Sequence, residues 1–146
     1  MVTFAADESP RSVQLYGVDP QVMREAVRIV VDEDRADHVD LNFGCPAKEV
    51  TAGAASGSAL MREPDLAEAL VAAAVQAVDV PVTVKMRLGW DDENITAPDL
   101  VRALEDAGVA AIFVHGRTRE QGFGGTVNLA GIRKVVAAAR AIPVIG

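Results

Sequence analysis

The sequence predicts an α/β protein forming part of a (β/α)8 TIM barrel, with about five parallel strands and four helices. Three observations carry this. Short strand-like segments alternate with helical ones in the order β-α-β-α-β-α-β-α-β, which calls for parallel strands joined by helical crossovers. One side-chain phase of the strands is apolar: Val13 and Leu15; Val39 and Leu41; Val82, Val84 and Met86; Ile112 and Val114. The other is polar in three strands: Ser12 and Gln14; Asp40 and Asn42; Thr83, Lys85 and Arg87. A sheet covered on both faces needs both phases apolar, whereas a barrel lumen near its mouth carries polar groups. Third, the chain ends on Ile142-Pro143-Val144-Ile145-Gly146, an apolar strand whose edge a complete fold would cover. By length, 146 residues also suit a five-stranded flavodoxin-like sheet, and a whole barrel needs ~250. Strand order decides: neighbours running 1-2-3-4-5 make a barrel wall, and a reversal such as 2-1-3-4-5 makes the open sheet.

Each element has its own signal. Ser12–Leu15 is the first strand. Asp19 can cap a helix with Pro20 at its first position, running to about Val31. His38–Asn42 is the second strand. An irregular stretch rich in Gly, Ala and Ser follows, from Phe43 to Arg62. Pro64 opens a helix that continues to about Val78, and its Ala-rich part, Ala67–Ala77, suits close packing on the sheet. Pro81–Arg87 is the third strand, rich in β-branched residues. Thr96 can cap the next helix, with Gly108 as its stop. Ala111–His115 is the fourth strand, Leu129 to about Arg140 the last helix, and Ile142–Ile145 the last strand. No linker or shift in composition divides the chain.

Composition excludes several classes. Half the residues are hydrophobic and 24% charged, which is unlike a disordered chain. Lys and Arg number 14 against 21 Asp and Glu, for a net charge of −7, the wrong sign for holding nucleic acid by bulk electrostatics. The single cysteine, Cys45, rules out an internal disulfide framework and suits a reducing compartment. No apolar run reaches the ~20 residues of a membrane helix. Met1–Pro10 lacks the parts of a signal peptide, so a cytoplasmic location is expected. The glycines at 53, 57, 122, 124 and 125 form neither a G-x-G-x-x-G nor a Walker loop. The acidic run Asp32–Asp37 reads as a solvated helix end. His38 and His115 lack metal-ligand spacing, so no metal is expected.

Polar residues gather where strands end: Gln14; Asn42, with Cys45 just beyond; Lys85 and Arg87; His115 with Arg117. That rim is where parallel α/β folds build their sites. Singly, each has an ordinary explanation: a small buried thiol, a lysine reaching solvent, a hydrogen-bonded histidine, loop arginines. Cys45 departs from its own, because it sits in the turn Gly44-Cys45-Pro46 and Pro46 biases it towards an extended backbone. Four such clusters on four strand ends are harder to set aside than any one.

The segments Val-Gln-Leu-Tyr-Gly (13–17), Asp-Leu-Asn-Phe-Gly-Cys-Pro-Ala-Lys (40–48), Pro-Val-Thr-Val-Lys-Met-Arg-Leu-Gly-Trp (81–90) and His-Gly-Arg-Thr-Arg (115–119) resemble tRNA-dihydrouridine synthases. The bacterial B-type members, formerly described as nitrogen-regulation-like, look closest. The resemblance implies an FMN-binding barrel followed by a helical tRNA-binding domain, and reduction of the C5–C6 double bond of uridines in tRNA with NADPH. Residues 1–11 would be a lead-in and residues 12–146 family strands 2 to 6. The first strand, the last strands with their phosphate loop, and the helical domain lie outside that match. The isolated chain is therefore expected to bind FMN weakly or not at all, without turnover. The family's basic tRNA surface lies mainly in the helical domain, which eases the conflict with the −7 charge.

The resemblance also implies roles. Cys45 matches the proton donor to C5 of uracil, a role suited to a thiol that is mostly protonated at neutral pH. Lys85 matches a lysine stabilising reduced FMN. Gln14 matches a contact to the ring edge, with both a donor and an acceptor to offer, and His115 a residue near flavin and substrate. Asn42 would bind the flipped-out uracil; Arg87 and Arg117 would contact substrate or phosphate. Two other readings are an FMN barrel such as a dihydroorotate dehydrogenase, and a non-catalytic flavodoxin-like binding module.

Overall fold

The computed structural model describes residues 2–33 and 35–146. Five strands, β1 (Ser12–Leu15), β2 (His38–Phe43), β3 (Val82–Arg87), β4 (Ala111–His115) and β5 (Val144–Ile145), lie in the order β1-β2-β3-β4-β5. Every pairing is parallel. Sequential order is that of a barrel wall, and the reversal expected of a flavodoxin-like module does not occur. Four helices connect the strands: α1 (Pro20–Arg28), α2 (Pro64–Val75), α3 (Ala97–Asp106) and α4 (Leu129–Ala138). Each packs against the next, α1 on α2, α2 on α3, α3 on α4, so the helices form one layer.

The apolar strand phase faces that layer. Val39, Leu41, Val84, Met86 and Ile112 are buried against Val27, Leu70, Val71, Leu104 and Val135. Each such side chain contributes about 1.5–3 kcal/mol when fully buried, and a one-residue slip would turn the whole set away from the helices. Register is thereby fixed, and the opposite phase falls into layers. Gln14, Asp40, Thr83 and Ala111 align in one; Asn42, Lys85, Phe113 and Ile145 in the next; Arg87 and His115 nearest the C-terminal rim.

Local chemistry explains the boundaries. Asp19 Oδ1 accepts from the Gln21 and Val22 amides at 2.8 and 3.1 Å, and Pro20 opens α1. That helix stops at Arg28, short of the expected Val31, and widens into a π-helical turn, Ile29–Glu33, which keeps Val30 buried. Of the acidic run, Asp34 lies outside the described residues, while Asp32, Glu33 and Asp37 are exposed. Thr96 stands at the N-cap position of α3 without capping it; its hydroxyl donates to the Met61 carbonyl instead, at 2.8 Å. Gly108, with φ +97°, ends that helix. β5 is shorter than expected because Pro143 has no N–H to donate, although its carbonyl accepts from the Ile112 amide at 3.0 Å. Glu105, at the end of α3, accepts from the amides of Arg140, Ala141 and Ile142. These contacts hold its carboxyl below the usual range and tie α3 to the turn that leads into β5.

The 43–62 stretch is less irregular than expected. It contains a π-helical turn at Glu49–Gly53 and a 3-10 helix at Gly57–Arg62, and residues 56 to 61 are buried throughout. Ser56, Gly57, Ser58 and Ala59 are small enough to pack closely, and Leu60 and Met61 enter the hydrophobic core.

Candidate active site

The site sits where β2, β3 and β4 end. Asn42, the last polar residue of β2, turns its Oδ1 onto the amides of Gly44 and Cys45 at 3.0 and 2.9 Å, the Asx-turn geometry that asparagine favours. The Cys45 carbonyl accepts from the amide and hydroxyl of Ser58 at 3.0 and 2.9 Å. Gly57 is required for that approach. Its φ is +58°, and a Cβ there would lie 2.8 Å from the Cys45 carbonyl oxygen. Cys45 is thus gripped through its backbone on both sides, and its half-buried thiol lies outside that grip.

Arg87 braces this turn from below. It is 2% exposed; its Nε donates to the Gly44 carbonyl at 2.7 Å. Its Nη1 donates to the carbonyls of Thr118 and Gly122 at 3.0 and 2.7 Å. Among the described residues Nη2 has no acceptor. Arg87 therefore ties the cysteine turn to the loop after β4, a task that a polar strand residue does not advertise in sequence. Arg117 holds the same loop from above, donating to the carbonyls of Gly124 and Gly125 at 3.0 and 3.2 Å.

Arg117 Nη1 also lies 2.9 Å from His115 Nε2. A guanidinium can only donate, so this nitrogen of His115 carries a lone pair and the ring proton sits on Nδ1. The electrostatics agree: burial, then the cations of Arg87, Lys85 and Arg117, hold His115 below 6.5. The folded protein binds that proton less readily than the unfolded chain does. Stability from this histidine is accordingly present above about pH 6.5 and lost as pH falls below it. An NMR titration should place the His115 midpoint below 6.5, and Arg117→Ala should move it upward; a midpoint unmoved by that substitution would mean that the contact does not form.

Lys85 is half-buried and forms no ion pair among the described residues. Burial and Arg87 lower its pKa, and Asp40 opposes them. It lines two hollows of the lumen face. One of about 270 Å³ is shared with Phe113, His115 and Val127; the other, of about 330 Å³, is shared with Gln14, His38, Asp40 and Phe113. Cys45 faces a third hollow of about 360 Å³, with Lys48, Arg119 and Phe123. Asn42 and Arg87 link the thiol to the lysine side. A further cavity of about 610 Å³, around Phe4, Arg11 and Arg35, lies at the N-terminal ends of the strands and gathers none of the rim residues.

Sequence reasoning missed a further set. Ser12 Oγ and His38 Nδ1 are 2.7 Å apart, and His38 Nε2 is 2.8 Å from Thr83 Oγ1. Thr83 donates to Asp40 Oδ1 at 2.6 Å, and Gln14 Nε2 donates to Asp40 Oδ2 at 2.7 Å. His38 shares a period-two phase with Asp40 and Asn42, which is the sequence signal that it joins the lumen face. Trp90 is a second omission. Its ring stacks between the guanidiniums of Arg62 and Arg119, at 3.8 and 4.6 Å, and Arg119 reaches Thr51. This stack connects the segments around 51, 62 and 119 beside the cysteine turn.

A parallel α/β wall in sequential strand order, with its helices in one layer, belongs to the (β/α)-barrel class of folds. A crystal structure of an enolase from Bradyrhizobium complexed with magnesium and mandelic acid matches 92% of this chain and 30% of its own, with TM-score 0.59 and 14% identity. At that identity the likeness concerns the fold. The model of the family "Dihydrouridine synthase (Dus)" matches residues 1–146, and the chain belongs to that family. Among relatives, tRNA-dihydrouridine synthase B of Xanthomonas campestris pv. campestris is 48% identical over 97% of this chain and 42% of its own length. A probable tRNA-dihydrouridine synthase of Mycobacterium leprae is 48% identical over 100% and 38%, and one of Rhizobium leguminosarum bv. phaseoli 50% identical over 90% and 41%. The chain spans about two fifths of the length of these curated relatives.

Proposed function

We propose that this chain forms the part of a flavin-dependent tRNA-dihydrouridine synthase that carries the proton donor and one side of the flavin cradle. Family membership supports tRNA dihydrouridine synthesis; the finer assignments rest on the site. The observation that carries them is Lys85, a half-buried cation without a carboxylate partner among the described residues, within a cationic rim on a chain of net charge −7. A buried charge of this kind calls for an anionic or acceptor-rich ligand. FMN suits it, with Lys85, Gln14 and His115 holding the ring system and NADPH supplying the electrons. Bound FMN would supply hydride chemistry.

The chain's own residues then have defined tasks. Lys85 stabilises negative charge on the ligand edge. Asn42 retains one N–H for a uracil carbonyl, and Cys45 holds the proton that C5 must receive. Arg87, through its free Nη2, and Arg117, through its remaining N–H groups, are the candidates for substrate contact. The cytoplasm, where tRNA is modified, is the proposed location. Among the described residues no helix is long and apolar enough to cross a membrane.

The test uses a full-length dihydrouridine synthase into which residues 12–146 are grafted in place of the homologous segment. Incubated with unmodified tRNA and NADPH, the chimera should form dihydrouridine. A chimera that folds and binds FMN yet leaves every uridine unreduced would defeat the proposal. Reduction of free dihydroorotate's oxidised partner, with tRNA untouched, would favour the dihydroorotate dehydrogenase reading.

A further inference from the structure

Two amides of the site form one chain of hydrogen bonds whose direction is forced from both ends. At one end stands Asp40, 8% exposed, whose carboxylate oxygens can only accept. Gln14 must therefore turn its NH2 towards Asp40, at 2.7 Å, which leaves Oε1 to accept from Asn42 Nδ2 at 2.9 Å. At the other end stand the amides of Gly44 and Cys45, which can only donate. They demand that Asn42 present Oδ1 to them and hence its NH2 to Gln14. Both requirements select the same orientation. Asn42 Oδ1 is thereby filled by the two turn amides and Gln14 Oε1 is engaged once, and each side chain keeps one N–H without a protein acceptor among the described residues. Gln14 keeps one N–H and one lone pair of Oε1, so a donor and an acceptor both remain on it.

From this we infer that Asp40 is the positioning residue of the site. Its charge sets the polarity of the chain Asp40–Gln14–Asn42, which holds the Gly44-Cys45 turn and leaves Asn42 at the lumen edge with a donor alone. That N–H takes a ligand acceptor, such as a carbonyl of a flavin or pyrimidine ring. The ligand assignment rests on the reading given under Proposed function; the polarity of the chain does not.

The test swaps the charge along the chain and needs neither flavin nor tRNA, so its failure and that of the proposed reaction are separable. Asp40→Leu removes the acceptor that holds the Gln14 NH2, so Gln14 is free to turn that NH2 towards Asn42 and draw its oxygen from the turn. Hydrogen exchange at the Gly44 and Cys45 amides in the 146-residue chain should then accelerate about tenfold or more, the loss of one such bond per amide. Adding Gln14→Glu restores an acceptor-only partner for the Asn42 NH2. Exchange in Asp40→Leu/Gln14→Glu should return to within about threefold of the parent, while Thr83→Val, which removes the other partner of Asp40, should leave both amides protected. If Asp40→Leu fails to fold, folding of the double variant with protected amides supports the inference equally. A double variant no better protected than Asp40→Leu, or one that also fails to fold, overturns it. So does a Thr83→Val chain that exposes the turn as fully as Asp40→Leu does.

Discussion

Cys45→Ala, in an enzyme carrying the complete barrel, is expected to lower dihydrouridine formation by about 10²–10⁴-fold, the usual contribution of a positioned general acid. Reduction of the bound flavin by NADPH should continue almost unchanged. Alanine is a clean replacement because the turn is gripped through the Cys45 backbone: its amide donates to Asn42 and its carbonyl accepts from Ser58. The substitution therefore removes the sulfhydryl and leaves the scaffold. Dihydrouridine measured in tRNA, beside loss of the yellow flavin absorbance on adding NADPH, separates the two steps. If both disappear together, Cys45 is a structural residue and the assignment fails.

Arg87→Met is expected to have the largest effect on stability, a loss of about 3 kcal/mol. The methionine fills most of the space but strands the carbonyls of Gly44, Thr118 and Gly122, which now receive the Arg87 donors. Leaving a buried acceptor unpaired costs about 1–3 kcal/mol, while a whole domain is stable by only about 5–15 kcal/mol. An opposing effect exists, since Arg87 lowers the pKa values of Lys85 and His115 and its removal relieves that repulsion. Those groups are partly exposed and screened by water, so the stranded carbonyls should dominate. Thermal unfolding measures the loss. Faster alkylation of Cys45 by iodoacetamide, together with upward shifts of the Lys85 and His115 midpoints, would show that the brace rather than the core was damaged. Unchanged stability would mean that the three bonds do not hold the loops.

The two variants probe different layers of legibility. Cys45 was readable because Gly44 and Pro46 mark a turn just beyond a strand, at the rim where parallel α/β folds place chemistry. Arg87 was readable as a polar residue in the lumen phase, and its bracing of two loops was not. Its partner Gly44 lies 43 residues away in the chain, and nothing local records that the two meet. His38 shows the same limit from the other side, since spacing was a poor guide to a residue whose partners, Ser12 and Thr83, come from neighbouring strands. Thr96 shows that local preference yields to tertiary demand: it occupies the capping position, yet the Met61 carbonyl takes its hydroxyl.

Periodicity and turn residues, which act within a few positions, were sufficient to determine the order of strands and helices, the side of the sheet that meets the helices, and the motifs shared with dihydrouridine synthases. Tertiary structure alone decided which donors and acceptors remain for a ligand. Gln14 and Asp40 stand 26 residues apart, and such groups meet only once burial of the apolar phase has fixed the register of β1, β2 and β3. The identity of a side chain states which hydrogen bonds it can make, and the folded neighbours determine which of them are already made.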